Sequence, residues 1–79
     1  MYIDEDGDRA RRIGGPIIEQ VTRGPFDTDS GHFLVGDYQE CKALLARWID
    51  AGAKRVCVWP LLHPVEQIRQ LGEKVLPGL

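Results

Sequence analysis

The sequence predicts an α/β fold with a parallel sheet, and three observations lead to it. Residues 33–35 and 56–59 form two short apolar runs, and the second lacks the alternation of a strand that faces water. The segment between them has the spacing of an amphipathic helix. Another helical pattern follows directly. Strand, helix, strand and helix in this order predict a βαβα segment, with parallel strands and helices on the outside.

Composition limits the classes of protein to consider. The 79 residues are 43% hydrophobic, which predicts one folded domain or part of one over residues 1–79. A net charge of -2 without a basic run predicts no nucleic-acid partner. No apolar stretch approaches the roughly 20 residues of a membrane-spanning helix. The acidic start, Met1 to Asp6, is unlike a secretory signal, so we expect a cytoplasmic protein.

The two cysteines fit a reducing compartment. Cys41 and Cys57 each lie in a pattern predicted to be buried, where a reduced thiol acts as a small hydrophobe. A disulfide between them is the disfavoured alternative.

The first third of the chain is predicted to be a strand end followed by a helical layer. Tyr2 and Ile3 are interpreted as the end of a strand, and residues 4–8 as a turn and a carboxylate-rich helix start. Helical spacing begins at Ala10 and continues to Val21.

Gly14-Gly15-Pro16 falls inside that pattern. Proline lacks a backbone donor and clashes with the preceding turn, so the sequence predicts a kink or two short helices there. A phosphate-binding loop is the alternative, but neither the P-loop ending nor the dinucleotide glycine pattern is present.

Residues 23–32 are predicted to be a loop. Asp27-Thr28-Asp29 and Asp4-Glu5-Asp6 could suggest calcium, but neither has the glycine and glutamate that an EF-hand loop requires. Solvated turns and helix caps are the favoured interpretation of both.

The helix after the first apolar run has the strongest local signals. Gly36 ends the run, Asp37 is the predicted N-cap, and Glu40 completes a capping box. Gly52 stands where a left-handed C-terminal cap is expected. The predicted buried face consists of Cys41, Leu44, Leu45, Trp48 and Ile49.

The second apolar run is predicted to be a strand buried on both faces, which pairs in parallel with residues 33–35. Pro60 would end it, because proline cannot donate to a ladder. His63 is the predicted cap of the last helix and Pro64 lies in its first turn, with Pro77-Gly78 at its end. The predicted buried face of that helix consists of Val65, Ile68, Leu71, Val75 and Leu76.

A set of short motifs, in this order, resembles the carboxy-terminal end of the luciferase-like monooxygenase family. They are Phe33-Leu34-Val35-Gly36-Asp37, Trp48-Ile49-Asp50-Ala51-Gly52-Ala53, Val56-Cys57-Val58-Trp59-Pro60, His63-Pro64-Val65-Glu66-Gln67-Ile68 and Val75-Leu76-Pro77. The family has a (β/α)8 TIM-barrel fold, and this chain would supply its last units, a quarter to a third of about 250 residues. The motifs depart from the family at His63, where an aspartate is expected before proline.

The resemblance implies an oxidoreductase that uses FMN or the deazaflavin F420. The family oxidises small organic substrates with dioxygen through reduced flavin, or by hydride transfer to F420. Most of its site residues lie in earlier segments, so the chain would be inactive alone. Its contribution to the cofactor pocket would be a rim of Gly36, Trp59, Pro60 and His63, with no catalytic residue and no metal ligand.

Each of these four residues also has a structural interpretation. Trp59 could pack within a strand, Gly36 could make a turn, Pro60 ends a strand, and His63 could cap a helix.

A second hypothesis is a stand-alone small α/β protein that acts by self-association or partner binding without catalysis. The run at 56–59 motivates it, because helices on one side cannot cover a sheet that is apolar on both. The expected partner is therefore the remainder of the barrel or a second copy of the chain, and the isolated chain is expected to be a homo-oligomer.

Overall fold

The structure, a computed structural model, describes residues 1–27 and 31–79. It is a small α/β arrangement of two parallel strands and three helices, so the predicted fold class is confirmed at this level. The last helix continues into a π-helical turn at Leu71–Val75. The elements are β1 (Tyr2–Ile3), α1 (Gly7–Thr22), β2 (Val35–Gly36), α2 (Tyr38–Asp50) and α3 (Pro64–Gln70).

Strand β1 lies in the middle of the sheet region and is hydrogen-bonded on both edges. Towards β2, the Tyr2 amide donates to the Leu34 carbonyl over 3.0 Å, in a register that places Tyr2 opposite Val35. Towards the other edge, the Met1 amino group donates to the Trp59 carbonyl at 2.6 Å, and the Leu61 amide donates to the Met1 carbonyl at 3.0 Å. These two bonds are those of a parallel bridge with Met1 opposite Pro60.

A buried side chain completes the second edge of β1. The Ile3 amide donates to Gln67 Oε1 over 2.7 Å, and Gln67 Nε2 donates to the Ile3 carbonyl over 2.8 Å. Gln67 is only 2% exposed. Its amide therefore takes the place of the strand that would otherwise pair with Ile3.

The two faces of the sheet are covered by different helices. Gly14 of α1 lies over Tyr2 and Val35, and a Cβ atom at Gly14 would be 3.1 Å from the Cβ of Tyr2. The opposite face carries the main hydrophobic cluster, which joins the sheet to α2 and the π-helical turn. Its buried members are Met1, Ile3, Leu34, Cys41, Leu45 and Val75. Helices thus lie outside the parallel strands on both faces.

Helix α1 corrects the prediction of a break at Gly14-Gly15-Pro16. It is one helix of 16 residues that contains Pro16. The two glycines are buried because they allow close packing: a Cβ atom at Gly15 would lie 2.9 Å from the Phe26 ring. Close approach of helix and sheet, and not chain reversal, explains the pair.

Helix α2 confirms both predicted caps. The Asp37 carboxylate accepts from the Glu40 amide at 2.8 Å, and the Glu40 carboxylate accepts from the Asp37 amide at 3.0 Å. Gly52 follows the helix with φ of 102°, and the bonds of Gly52 to Ile49 and of Ala53 to Trp48 form a Schellman motif. One member of the predicted buried face is wrong, since Ile49 is 50% exposed.

The prediction of a buried strand at residues 56–59 is wrong. These residues form no strand, Val56 and Cys57 are exposed, and Trp59 is 77% exposed. The parallel partner of residues 33–36 is β1 and not this run, so the βαβ unit of the structure is β1-α1-β2. Burial on both faces requires neighbours on both sides, and among the described residues this run has only Met1 as a backbone partner.

The last helix begins as predicted but buries a different face. Pro64 is its first residue, and among the five residues predicted to be inside only Val75 is fully buried. Val65 is 83% exposed, and Ile68 and Leu76 are about half exposed. The inward face consists of Gln67, Leu71 and Val75, which are spaced by four residues. Gln67 lies on this face because its side chain makes hydrogen bonds to Ile3.

Residues 28–30 lie outside the described part of the chain. The calcium interpretation weighed for Asp27-Thr28-Asp29 falls on them.

Candidate functional site

The four residues expected at a cofactor rim are distributed over different surroundings. Of three cavities formed by the described residues, none is lined by more than one of them, and only Trp59 lines any. The cofactor rim of Gly36, Trp59, Pro60 and His63 stays a prediction.

Gly36 has a structural role at the end of β2. A Cβ atom there would lie 3.1 Å from both the Cβ and Oε1 atoms of Glu40. The missing side chain therefore leaves room for the Glu40 carboxylate, which bonds the Asp37 amide in the capping box. This geometry agrees with the structural interpretation of Gly36 as a turn residue before an N-cap.

His63 occupies the N-cap position of α3 without capping it. Its backbone is left-handed, with φ of 48° and ψ of 58°, and its side chain makes no hydrogen bond to the helix. The predicted N-cap position is thus correct, but the His63 side chain does not make the hydrogen bond of a cap. The left-handed turn at His63 lies between Leu61, whose amide bonds Met1, and the helix from which Gln67 bonds Ile3.

Pro60 lies opposite Met1. Its backbone nitrogen, which carries no hydrogen, faces the outer edge of the segment. Because Trp59 and Leu61 supply the bonds to Met1, the backbone groups of Pro60 point away from β1. Proline at such an edge position removes one donor that a further strand would need.

Trp59 borders an apolar cavity of about 420 Å³, which we call the Trp59 groove. Helix α1 forms one side and the segment 59–61 the other. The side chains of its lining carry no charge, but Met1 also carries the N-terminal amino group, which donates to the Trp59 carbonyl. The Thr22 hydroxyl donates to the Ile18 carbonyl at 2.8 Å. The lining consists of Met1, Ile17, Ile18, Val21, Thr22, Phe33, Trp59 and Leu61.

A second cavity, of about 410 Å³, is polar. Arg11, Glu40 and Arg47 line it together with apolar side chains of β2 and α2. Arg11 binds Asp8 at 2.8 Å and Glu40 at 2.7 Å, and these carboxylates raise the pKa of its guanidinium. Its charge is thus compensated within the chain, and the carboxylate in the lining, Glu40, is itself engaged by Arg11 and by the capping box.

Polar groups near the carboxyl end of β1 form pairs that stabilise structure. The Arg9 guanidinium binds Asp4 at 2.6 Å and holds the pKa of that carboxyl below its usual range. The Tyr38 hydroxyl donates to Gln70 Oε1 at 3.3 Å, and burial raises the pKa of that phenol. Neither arrangement supplies an activated nucleophile.

The two thiols differ from each other, and the expectation that both are buried is wrong for one. Cys41 is 1% exposed, and desolvation raises the pKa of its thiol to about 12. Cys57 is exposed, and both thiols are free. A protonated, buried thiol such as Cys41 is chemically inert.

Gln67 is the important residue that sequence reasoning missed. The predicted buried face of the last helix consisted of apolar residues and did not include it. The signal that could have identified it is its position four residues before Leu71 and eight before Val75, on one helical face.

Within residues 1–27 and 31–79, no three His, Cys, Asp or Glu side chains are grouped so that they could hold a metal ion. In the same part of the chain, no helix has both the length and the apolar character needed to cross a bilayer. Comparisons of this chain with family models, curated proteins and solved structures give no match.

Proposed function

We propose that this chain is an incomplete α/β unit that acts by binding another protein surface through the segment 56–62, without a catalytic site of its own. One observation carries the proposal: Trp59, the largest side chain of the segment, is 77% exposed beside the apolar Trp59 groove. Val56 and Leu62 of the same segment are 39% and 40% exposed. Contiguous exposed apolar surface of this kind marks interaction sites.

The hydrogen bonds of the segment support a surface that is held in place before binding. Met1 fixes Trp59 and Leu61 through two backbone bonds. Val58, whose side chain alternates with that of Trp59, packs against the main hydrophobic cluster. The segment is thus anchored on one face and uncovered on the other.

The test compares two exposed apolar residues. Trp59→Ser removes the proposed contact, and Val65→Ser, at a residue 83% exposed on α3, is the matched control. In sedimentation velocity over a range of concentrations, we expect the wild-type chain and Val65→Ser to associate and Trp59→Ser to remain monomeric. Association of Trp59→Ser to the same extent as the wild-type chain would contradict the proposal.

A second proposal identifies the partner surface as the remainder of a luciferase-like barrel. The parallel β1-α1-β2 unit, followed by the capping box of α2, supports it because both are elements of a (β/α)8 chain. In this proposal the parent enzyme is an FMN- or F420-dependent oxidoreductase, and the chain supplies rim residues only. In a barrel, consecutive strands are neighbours, so the segment 56–61 would have to leave β1 for the free edge of β2.

Two observations test the barrel proposal. The isolated chain should bind neither FMN nor F420, and a purified chain with stoichiometric flavin would contradict the idea of an incomplete unit. The coding sequence immediately upstream of Met1 should encode further barrel strands. An unrelated gene at that place would contradict the barrel proposal and leave the association proposal unaffected.

A further inference from the structure

We infer that the polar cavity lined by Arg11, Glu40 and Arg47 is a binding site for a small carboxylate with an apolar body, and that Arg47 holds the carboxylate. The site is independent of the association proposed for the segment 56–62, since the polar cavity and the Trp59 groove share only Phe33 in their linings. Three observations support it: the walls of the cavity, the pairing of its two arginines, and the fixed backbone beside Arg47.

The polar cavity has the size and the mixed walls of a small-molecule site. Its volume of about 410 Å³ lies within the range of about 300–1,000 Å³ that is usual for ligand pockets. Helix α2 forms one wall with its residues at positions 40, 43, 44 and 47, a spacing that places them on one side of a helix. Phe33 and Val35 form the wall on β2 and supply apolar surface for the body of a ligand.

The two arginines of the cavity differ in how they are paired. Arg11 lies between two carboxylates, Asp8 at 2.8 Å and Glu40 at 2.7 Å, so this end of the cavity carries one net negative charge. Arg47 follows Glu40 by seven residues, which places it about 10 Å further along the axis of α2. Within residues 1–27 and 31–79, the Arg47 guanidinium makes no ion pair and no hydrogen bond. It can therefore bind an anion, and its planar fork matches both oxygens of a carboxylate.

The backbone beside Arg47 is held in place by a side chain of α2. Trp48 Nε1 donates to the Gly31 carbonyl at 3.0 Å. Gly31 lines the cavity next to the guanidinium, since a Cβ atom there would lie 3.7 Å from Arg47 Nη2. The Phe33 ring is in turn supported by the Phe26 ring, with 5.8 Å between the ring centroids. A ligand thus meets walls that are already formed, which lowers the entropic cost of binding.

The backbone of β2 favours a small molecule over an added strand at this place. In the register with Tyr2, the backbone groups of Val35 face the outer edge of β2. The Val35 amide already donates to the Phe33 carbonyl at 3.0 Å. Strand addition needs unpaired backbone groups at an edge, so recognition here depends on side chains.

The charges along the cavity favour a ligand with a single negative charge. A carboxylate at Arg47 places the body of the ligand against Phe33 and Val35, towards Glu40. A second carboxylate at that end would meet the net negative charge of Arg11 and its two carboxylate partners. The ligand class is therefore an aromatic or aliphatic monocarboxylate.

Binding of phenylacetate to the full chain, followed by protein NMR, tests the site. We expect saturable shifts of the Gly31 and Leu44 amide signals and of the Arg47 Nε–H signal. Phenylacetamide has the same shape without the charge and should bind at least about tenfold more weakly. The dicarboxylate para-phenylenediacetate should also bind more weakly than phenylacetate.

Two variants and a matched control assign the contact. Arg47→Gln removes the cation and should raise the Kd for phenylacetate at least about tenfold. Ala43→Leu keeps every charge but fills the cavity from an exposed helix position, and it should raise the Kd as well. Arg12→Gln removes the same charge from an exposed position of α1 outside the lining and should leave the Kd unchanged. Circular dichroism verifies that each variant is folded.

The site would be overturned by the absence of saturable shifts, by equal affinity for phenylacetamide, or by an unchanged Kd in Arg47→Gln. Shifts confined to the lining of the Trp59 groove would also overturn it, because the acid would then bind the other cavity. A dicarboxylate that binds as tightly as phenylacetate would overturn the choice of a monoanion. Association through Trp59 is measured separately by sedimentation, so it stands or falls independently of these results.

Discussion

Two apolar segments of similar composition differ in burial in this molecule. Residues 33–36 lie against β1 on one edge, and Leu34 is 4% exposed within the main hydrophobic cluster. The segment 56–61 lies against the other edge of β1 through Met1 alone, and Trp59 is 77% exposed. Helix α2 and the capping box hold the first segment in place, whereas Trp59 of the second stays exposed beside the groove that it lines together with α1. Apolar composition predicts burial only where the rest of the fold supplies a cover.

The two segments should differ most in the free energy of unfolding that is lost when a large apolar side chain is truncated to alanine. Leu34→Ala should lower the free energy of unfolding by about 2–5 kcal/mol, because it removes buried methyl groups and leaves a cavity. Trp59→Ala should change it by less than about 0.5 kcal/mol in the monomer, because the indole is exposed. Urea unfolding at low protein concentration measures both. Equal losses would mean that the second segment is part of the core.

The next effect concerns the side chain that replaces a strand on the second edge. Gln67→Met keeps the volume but leaves the amide and carbonyl of Ile3 without partners. Unfolding free energy should fall by about 2–3 kcal/mol. Gln70→Met is the control, since the side chain of Gln70 makes hydrogen bonds to the side chains of Tyr38 and Glu66 and not to Ile3. If both variants lose the same stability, the bonds to Ile3 are not what holds this edge.

The helix starts that follow the two segments should respond differently to substitution. Asp37→Ala removes the capping box and should cost about 1 kcal/mol. His63→Gly should raise the unfolding free energy by about 0.5 kcal/mol, because relief of the left-handed conformation outweighs the added chain entropy. Thermal unfolding followed by circular dichroism measures both. A loss of stability in His63→Gly would show that its side chain contributes to the cap.

Thiol chemistry gives the smallest and most local comparison. Cys57 of the second segment should react readily with a disulfide reagent, because it is exposed. At pH 8, Cys41 should react about a thousandfold more slowly, since its pKa is about 12 against an ordinary value near 8.5. A raised pKa also means that Cys41 contributes stability below about pH 8.5 that is lost as pH rises towards 12. Fast labelling of both thiols in the native chain would contradict this.

Local signals in the sequence predicted local structure well. The Asp37 and Glu40 box, Gly52 after α2 and Pro64 at the start of α3 are each determined by bonds within a few residues, and the structure confirms them. The α/β class with parallel strands is also confirmed, but the prediction paired residues 33–35 with 56–59, whereas the structure pairs Val35 and Gly36 with β1.

Placement within the fold was less predictable, because it depends on contacts between distant residues. The bonds of Gln67 to Ile3 span 64 positions, and the helical spacing of Gln67 with Leu71 and Val75 indicates the inward face but not the partner. The glycine pair at 14–15 was likewise predicted to break the helix, because the sequence does not show that Gly14 packs closely against Tyr2. The candidate rim of Gly36, Trp59, Pro60 and His63 came from a family resemblance and remains a proposal.

The environment of Trp59 as a function of protein concentration tests the central claim most directly. In a Trp48→Phe variant, Trp59 is the sole indole, and its emission reports on burial. If the segment 56–62 is an association surface, emission should be red-shifted and open to acrylamide at low concentration. It should shift to the blue and become protected as concentration rises. Emission that stays red-shifted and equally quenched up to the solubility limit would contradict the account.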